Sequence, residues 1–600
     1  MTSHAAEGPW NPGLQSQIPE ALLPLATIHR AEHVHTALRE ARELADLTGL
    51  PVEELVAFRA ERLVLHELLA RVTADFTVED GQKTEDLGIN FRRMTEAILS
   101  RHIVPELPRI AEEHEALRLR LRAAAEAALD RALGPQAAPA AAQRPGLIAR
   151  LFGQAKATSS AAEADAESGD MRCVRQWERE SETLRTSDPL QAAACAALAR
   201  VADAMLTRHG RLWRETALIA KVATDLAAND YGSEEIGRRI EPLIERAAAA
   251  EGFRRLPVQA HPVVMNTKGA SAAGKSTLRP LQRALAARLG VSWQDFALIS
   301  PDIFRKFLLD YSTLGEAYKY AGSFTGHELQ VVDRKLDRVM AHKAARGAMS
   351  HLLIDRFRFD TFAPASDVAG SNLLTRFGEI VYLFFMITPP HATVERAWHR
   401  GLEVGRYKAV DDLLAHNIEA YTGMPEVFFT WALAADKKVH YEFLDNSVAL
   451  GETPRSIAFG WNGELNVLDV GGLINIERYR KINVEAGEAD AVYPGSDDMA
   501  AARNTQFLEQ CVRRLPRVNF ADRDSGRIWL RIAQGRVLWQ DAAALALALR
   551  DPATRAGIAA IAPQVLEAHA STTTAATPET LTADERTHTL GAWRQSATQP

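Results

Sequence analysis

The stretch Gly269-Ala270-Ser271-Ala272-Ala273-Gly274-Lys275-Ser276-Thr277 constrains this chain more than any other. Two glycines separated by four small residues and followed by Lys-Ser match the pattern of a phosphate-binding loop. The apolar run Val263-Val264-Met265 ahead of it reads as a buried strand, and Leu278 to Leu289 behind it reads as a helix. That strand, loop and helix order is the context in which such a loop operates. Backbone N–H groups of the loop converge on phosphate oxygens and the helix N-terminus adds partial positive charge. Lys275 then reaches the β- and γ-phosphates and Ser276 holds magnesium. The pattern predicts a nucleotide site whose cofactor-binding residues run from Gly269 to Thr277.

Composition narrows the partners. With 600 residues the chain has room for several cores, and 47% hydrophobic with 24% charged residues is an ordinary soluble balance. A formal net charge of −7 and the lack of a dominant Lys/Arg stripe argue against a nucleic-acid binder. Cys173, Cys195 and Cys511 are widely spaced with no C-x-x-C pair, so neither a disulfide framework nor a zinc ribbon is expected, and a reducing cytoplasm fits. The longest apolar run, near Tyr382 to Ile387, is too short to span a bilayer, so no membrane partner is expected. Export by a non-classical route lies outside what these residues address.

The N-terminal third reads as helical. Leu38, Leu44, Leu47 and Leu50, then Leu55, Val56, Leu63, Val64, Leu68 and Leu69, recur near 3.6 residues, with Gly49 and Pro51 as the break between two helices. The expected division is a helical region over 1–133, a low-complexity linker or insertion over 134–170 and further helix over 171–256. An α/β domain over 257–485 follows, then a helical extension over 486–570, including Asn504 to Leu515 and Ile528 to Leu549, and a disordered Thr/Ala-rich tail over 571–600.

Within the α/β region the strands are expected at Val263 to Met265, Phe296 to Ser300, Leu352 to Asp355, Ile380 to Ile387 and Val439 to Leu444. Alternation with amphipathic helices predicts a parallel sheet with right-handed crossovers. Ligands then bind beyond the carboxyl ends of the strands. One such end carries Ser300-Pro-Asp302-Ile-Phe-Arg305, where Asp302 can take the proton of a hydroxyl attacking a γ-phosphate, or cap a helix. Asp355 ends an apolar strand in the Walker B manner and is a second candidate for holding magnesium. Thr325-Gly-His-Glu328 reads equally as a helix capping box and as a substrate contact through Glu328. Arg396 and Arg400 fall four apart on one helix face, and Arg406 follows in a loop begun by Gly401 and Gly405. Guanidinium groups on such a lid neutralise charge on a transferred phosphate, although pairing with Glu395 and Glu403 on the surface is the alternative.

Together these elements resemble the zeta-toxin family of P-loop kinases over roughly Pro262 to Asn446. The matching pieces are the Gly269 to Thr277 loop, Asp302-x-Phe-Arg305, Thr325-x-x-Glu328, the strand ending at Asp355, Val394-Glu-Arg396 and Arg406. The resemblance implies an α/β P-loop kinase domain with a parallel sheet, preceded by a large all-α N-terminal domain. It implies a transferase that uses ATP and magnesium, with Asp302 as base, Lys275 on the β/γ-phosphates, and Arg396 and Arg406 on the transferred group. Arg305, Glu328 and Asp355 fall at substrate positions, and the family's usual acceptor is a UDP-linked amino sugar. Where that family commonly has Gly-Thr after the acid, this chain has Arg356-Phe-Arg358-Phe-Asp360, so the acceptor pocket differs and Arg356 or Arg358 is placed to meet an acceptor phosphate. The family's toxin–antitoxin pairing implies a helical inhibitor, separate or fused in cis. The competing reading is a non-catalytic or ATPase-type nucleotide-binding protein regulated by its helical domain. A GTP switch is disfavoured because no Asn-Lys-x-Asp element follows the loop.

Overall fold

The computed structural model describes residues 7–83, 85–133, 169–356, 373–449, 451–567 and 579–593. The expected linker over 134–170 therefore lies outside the described residues except for its last two. The chain divides into two compact units, one formed by Leu23–Leu68 with Thr95–Gly252 and the other by Met1–Leu22, Leu69–Met94 and Phe253–Pro600. The helical region is thus not a separate N-terminal block. Two of its pieces, up to Leu22 and from Leu69 to Met94, belong to the unit that contains the 269–277 loop.

The helical unit is built from α1 (Leu38–Thr48), parts of α2 (Ala60–Asp75) and α3 (Asp86–Ile98), α4 (Leu107–Leu133), α5 (Gly169–Leu184), α6 (Pro189–His209), α7 (Thr216–Ala227) and α8 (Ser233–Glu251). Its core joins Leu44, Leu121, Trp177, Leu198, Met205 and Ile219. By length and apolarity alone α6 could cross a bilayer, yet Cys195, Leu198, Ala202 and Met205 all face that core. Inside, the Arg118 guanidinium meets Asp225 at 2.7 Å, and Ser233 Oγ donates to Glu67 at 2.7 Å.

The second unit is organised on one mixed sheet of ten strands in the order β10-β9-β8-β7-β6-β5-β4-β1-β3-β2. The first five in sequence are β1 (Val263–Lys268), β2 (Phe296–Ile299), β3 (His351–Ile354), β4 (Ile380–Ile387) and β5 (Lys438–Asp445). They pair in parallel, Val264 with Leu352 and Val381, and Tyr382 with His440. Covered on both faces, they are almost entirely buried, and β2 and β4 are apolar throughout as central parallel strands tend to be, whereas β1 ends in Asn266-Thr267-Lys268 and β5 buries His440 and Glu442. The crossovers include α9 (Arg279–Arg288), α10 (Gly326–Ala345), α11 (Pro390–Val404) and α12 (Val410–Ala432). Because β2 and β3 lie on one side of β1 while β4 and β5 lie on the other, the order reverses at β1, which opens a crevice beyond its carboxyl end.

Beyond β5 the expected helix at Asn504 to Leu515 is present as Gln506–Arg514, but the one expected over Ile528 to Leu549 gives way to strands as far as Gln540 and is helical only over Ala542–Ala548. The sheet continues through β6 (Arg455–Trp461), β7 (Glu464–Val467), β8 (Arg517–Ala521), β9 (Ile528–Ala533) and β10 (Arg536–Gln540), with only α13 (Val470–Tyr479), α14 (Gln506–Arg514) and shorter helices interspersed. Only the β7–β8 pairing is parallel in this half, so the sheet is mixed rather than parallel throughout. The turns explain the error. Asn462-Gly463 joins β6 to β7, and Gln534-Gly535, with φ of 50° and 73°, joins β9 to β10 in a backbone that matches hairpin twist. The expected disordered tail is also in part ordered. Leu581, Leu590 and Trp593 are buried, Ala592 exchanges backbone hydrogen bonds with Pro454 and Ser456, and the buried Glu442 carboxylate accepts from Leu590 N at 2.7 Å and Gly591 N at 3.0 Å.

Candidate functional site

Five parallel strands aim their carboxyl ends at one edge, and the residues that follow them form the candidate site. After β1 the chain turns through Gly269 to Gly274, with Ala272 at φ 60° and Gly274 at φ +94°. A Cβ on Gly274 would stand 2.5 Å from Asn446 Nδ2, so both the left-handed backbone and the close approach require glycine there. The loop is braced from the neighbouring strands, since the Ala273 carbonyl accepts from Thr388 Oγ1 at 3.0 Å and from Asn446 Nδ2 at 2.7 Å. Lys275 Nζ folds back onto its own loop, donating to the carbonyls of Gly269 at 3.1 Å and Ala270 at 2.9 Å. A one-turn 3-10 segment, Lys275–Leu278, leads into α9. Burial lowers the Lys275 pKa, and Asp355 and Asp302 oppose that shift.

Asp355 follows β3 on the strand beside β1, with its N–H bonded to the Ile299 carbonyl at 2.9 Å and its carboxylate 3.8 Å from Arg279. Ser276 comes from the loop itself. One hydroxyl and one carboxylate suit magnesium, which keeps several waters and takes the rest of its oxygens from substrate phosphates.

Asp302 lies in the turn Pro301–Phe304 after β2 and makes no capping hydrogen bond, so the N-cap reading does not hold. Its Oδ1 accepts from Arg305 Nε at 2.9 Å and its Oδ2 from Arg406. Burial works against the charge, but Arg406 and Arg305 hold the carboxyl well below the usual carboxylate range. Arg305 is itself clamped, donating to the Gly322 carbonyl at 2.6 Å and Thr325 Oγ1 at 2.8 Å. Thr325 turns its hydroxyl back to Ala321 rather than onto the start of α10, so the expected capping box is not formed, and Glu328 is fully buried in the first turn.

The arginines of α11 separate. Arg396 donates to the carbonyls of Asn446 at 2.8 Å and Val448 at 3.1 Å, on the flank of Gly274, and is not brought to Asp302. Arg400, one turn later, is the residue that joins the Asp302 cluster. Burial and the neighbouring Arg406 lower its pKa to about 9. Its i+4 spacing from Arg396 carried the signal, but spacing cannot tell which of two arginines faces the chemistry. Lys408 was also unassigned. Burial lowers its pKa to about 8, and its Nζ lies 2.7 Å from Nδ1 of His416, itself pushed down to about 2 by burial and by Lys408 and so neutral. The connection from α11 to α12 thus carries Arg406 and Lys408, and the Tyr407 ring between them packs on Gly401 and edge-on to Tyr318 at 5.7 Å.

Arg356 is turned inward rather than presented for contact with an acceptor phosphate. Its guanidinium is buried in α10's ion pairs, to Asp333 at 2.7 Å and Asp337 at 3.0 Å. Arg358 lies outside the described residues. An unforeseen contributor is the N-terminal segment, in which Trp10 packs in one cluster with Ala272, Val394, Ala397 and Leu413. Nearby, Glu7 pairs with Lys319, Gln15 N–H donates to Tyr320 Oη at 3.1 Å and Ser16 Oγ to Asp411 at 2.5 Å.

Fold and site define an α/β unit with a cation-rich crevice at a topological switch point, in a chain that also carries a helical unit. Comparison with protein-family models, curated proteins and solved structures finds no match.

Proposed function

We propose that the α/β unit is a P-loop kinase of the zeta-toxin type, transferring the γ-phosphate of ATP to a hydroxyl of a small molecule, a nucleotide sugar or related nucleotide. One observation carries this reading. Asp302 is gripped by Arg305 and Arg406 with Arg400 alongside, and the fields of Asp302 and Asp355 both reach Lys275 of the loop.

In this scheme the loop N–H groups and Lys275 cradle the donor phosphates once Lys275 leaves the Gly269 and Ala270 carbonyls. Ser276 and Asp355 would be the residues to hold magnesium, which when bound would supply positive charge to offset the terminal phosphates. Asp302 accepts a hydrogen bond from the acceptor hydroxyl through a remaining lone pair. Its low pKa makes it a weak base, which suits a loose transition state in which the proton leaves late. The acceptor oxygen bonds to the γ-phosphorus, the bridging P–O bond breaks with its electron pair on ADP, and the hydroxyl proton passes to Asp302. Arg400 and Arg406 stabilise the charge spread over the transferred group. Arg396 is assigned to the loop's flank, where it braces Asn446 to Val448.

The test is incubation of the full chain with ATP and magnesium and, in turn, UDP-sugars, NAD and nucleosides, with products read by mass spectrometry. A phosphorylated acceptor is expected, lost by about 10²-fold or more in Lys275→Ala and in Asp302→Asn. No product from any acceptor would overturn the kinase reading in favour of a nucleotide-binding interaction protein.

A further inference from the structure

A second cationic group lies beside the Asp302 turn and is not used by the chemistry above. Helix α3 is held to the Asp302 turn by two contacts. The Phe91 and Phe304 rings stand 5.3 Å apart, and Gly88 comes so close to Ile303 that a Cβ there would lie 3.8 Å from its side chain. This contact brings Arg92, a half-buried residue on the same stretch of α3, toward Lys306 and Tyr311. Lys306 Nζ stands 5.8 Å from the Tyr311 ring centroid, and Lys306 directly follows Arg305, which holds Asp302.

Neither Arg92 nor Lys306 forms an ion pair with a described residue. Burial lowers the pKa of each, and for Lys306 the nearby Arg92 and Arg406 lower it further, with Glu85 opposing. The Tyr311 hydroxyl is pushed up by burial, although Arg305, Arg406 and Arg92 act the other way. It keeps its proton and remains a hydrogen-bond donor. Cations gathered in excess of their carboxylates, here with Glu85 the opposing charge on Lys306, attract an anionic ligand. A planar guanidinium and an ammonium close enough to feel each other's charge are suited to a phosphate's oxygens.

We infer that Arg92, Lys306 and Tyr311 form an anion subsite beside Asp302 that takes a phosphate group already carried by the acceptor. The inference rests on the kinase reading for the word acceptor, while the anion site stands on its own geometry. It narrows the substrate to a molecule bearing both a free hydroxyl, delivered to Asp302, and a phosphate or diphosphate, held by Arg92 and Lys306. Neutral sugars and nucleosides lack the second handle. It also gives a function to residues 69–94, which the α/β unit includes although they precede its first strand by more than 150 residues.

The experiment is isothermal titration of inorganic pyrophosphate into the full chain. Two binding events are expected in the wild type, one at the Lys275 loop and one at the subsite. Lys275→Ala should remove the first alone. Arg92→Gln with Lys306→Gln should weaken the second by about tenfold or more, and Arg92→Lys should retain part of it. If the double variant titrates like the wild type, or the wild type shows no event beyond the one lost in Lys275→Ala, the subsite does not exist. If instead the double variant loses an event while Lys275→Ala loses none, the subsite stands and the kinase reading falls. Circular dichroism of the double variant confirms the fold, since Phe91 and Phe304, not the cations, hold α3 in place.

Discussion

Replacing Arg356 by methionine separates a structural role from a substrate role. The guanidinium is held between Asp333 and Asp337, one turn apart on α10, and the three side chains are 3%, 3% and 6% exposed. Methionine keeps most of the apolar stem but removes the charge, leaving two buried carboxylates without the cation they share. Breaking a buried pair in this way costs about 3–5 kcal/mol, mainly because the surviving charge stays desolvated. With a urea m-value of about 3 kcal/mol/M for a unit this large, the unfolding midpoint of the α/β unit should fall by about 1–1.7 M. Tryptophan fluorescence follows it, with calorimetry to separate the transitions of the two units. Adding Asp333→Leu and Asp337→Leu to Arg356→Met should recover most of the loss, because an apolar trio of similar volume carries no desolvation penalty. The reasoning is refuted if Arg356→Met unfolds within about 0.2 M of wild type while raising the Michaelis constant for a phosphorylated acceptor. That pattern would return Arg356 to the acceptor.

Two further outcomes concern pH. Lys408 has its pKa lowered to about 8 by burial, with Arg400 and Arg305 adding to the shift. Its cation is therefore lost as pH rises through that value, and turnover should fall above about pH 8. Lys408→Arg should hold the plateau to higher pH, and identical profiles for the two would remove Lys408 from the lid's working charges. Glu442 behaves in the opposite sense to a paired carboxylate. Burial pushes its carboxyl up to about 7 from 4.5, despite hydrogen bonds from Leu590, Ser456 and Gly591. Between those values the folded state holds a proton that the unfolded state has lost, so stability falls as pH rises through the window, by about 3 kcal/mol in all. Glu442→Gln should flatten urea midpoints between pH 5 and pH 8, and an unchanged slope would reassign the effect.

The core of the site was legible because its residues are local in sequence. Loop, strand and helix at 263–289 declare themselves by composition and period, and the strand-end acids Asp302 and Asp355 each follow a short apolar run that is marked well by its composition. Arg400 and Lys408 stood in plain view, but only packing decides which face of α11 meets Asp302. The strands at 528–540 are masked in the sequence by the alanine- and leucine-rich run at 542–549 that directly follows them and is itself helical, which outweighs the hairpin dipeptide Gln534-Gly535. The tail at 579–593 was misjudged for a similar reason. Its Thr/Ala content hides three large side chains, Leu581, Leu590 and Trp593, whose burial ties it down.

By itself, then, the chain's sequence determined the strand, loop and helix pattern at 263–289, the positions of the first five strands and the acids Asp302 and Asp355 after two of them, since these depend on neighbours within a few residues. Tertiary structure alone decided that Arg356 is a buried strut, that Arg400 rather than Arg396 joins Asp302, and that segments 7–22 and 69–94 belong with the loop. Each of these turns on a charge finding its counter-charge, or an aromatic ring its cover, across tens to hundreds of residues. Such pairings have no period, so only the folded chain displays them.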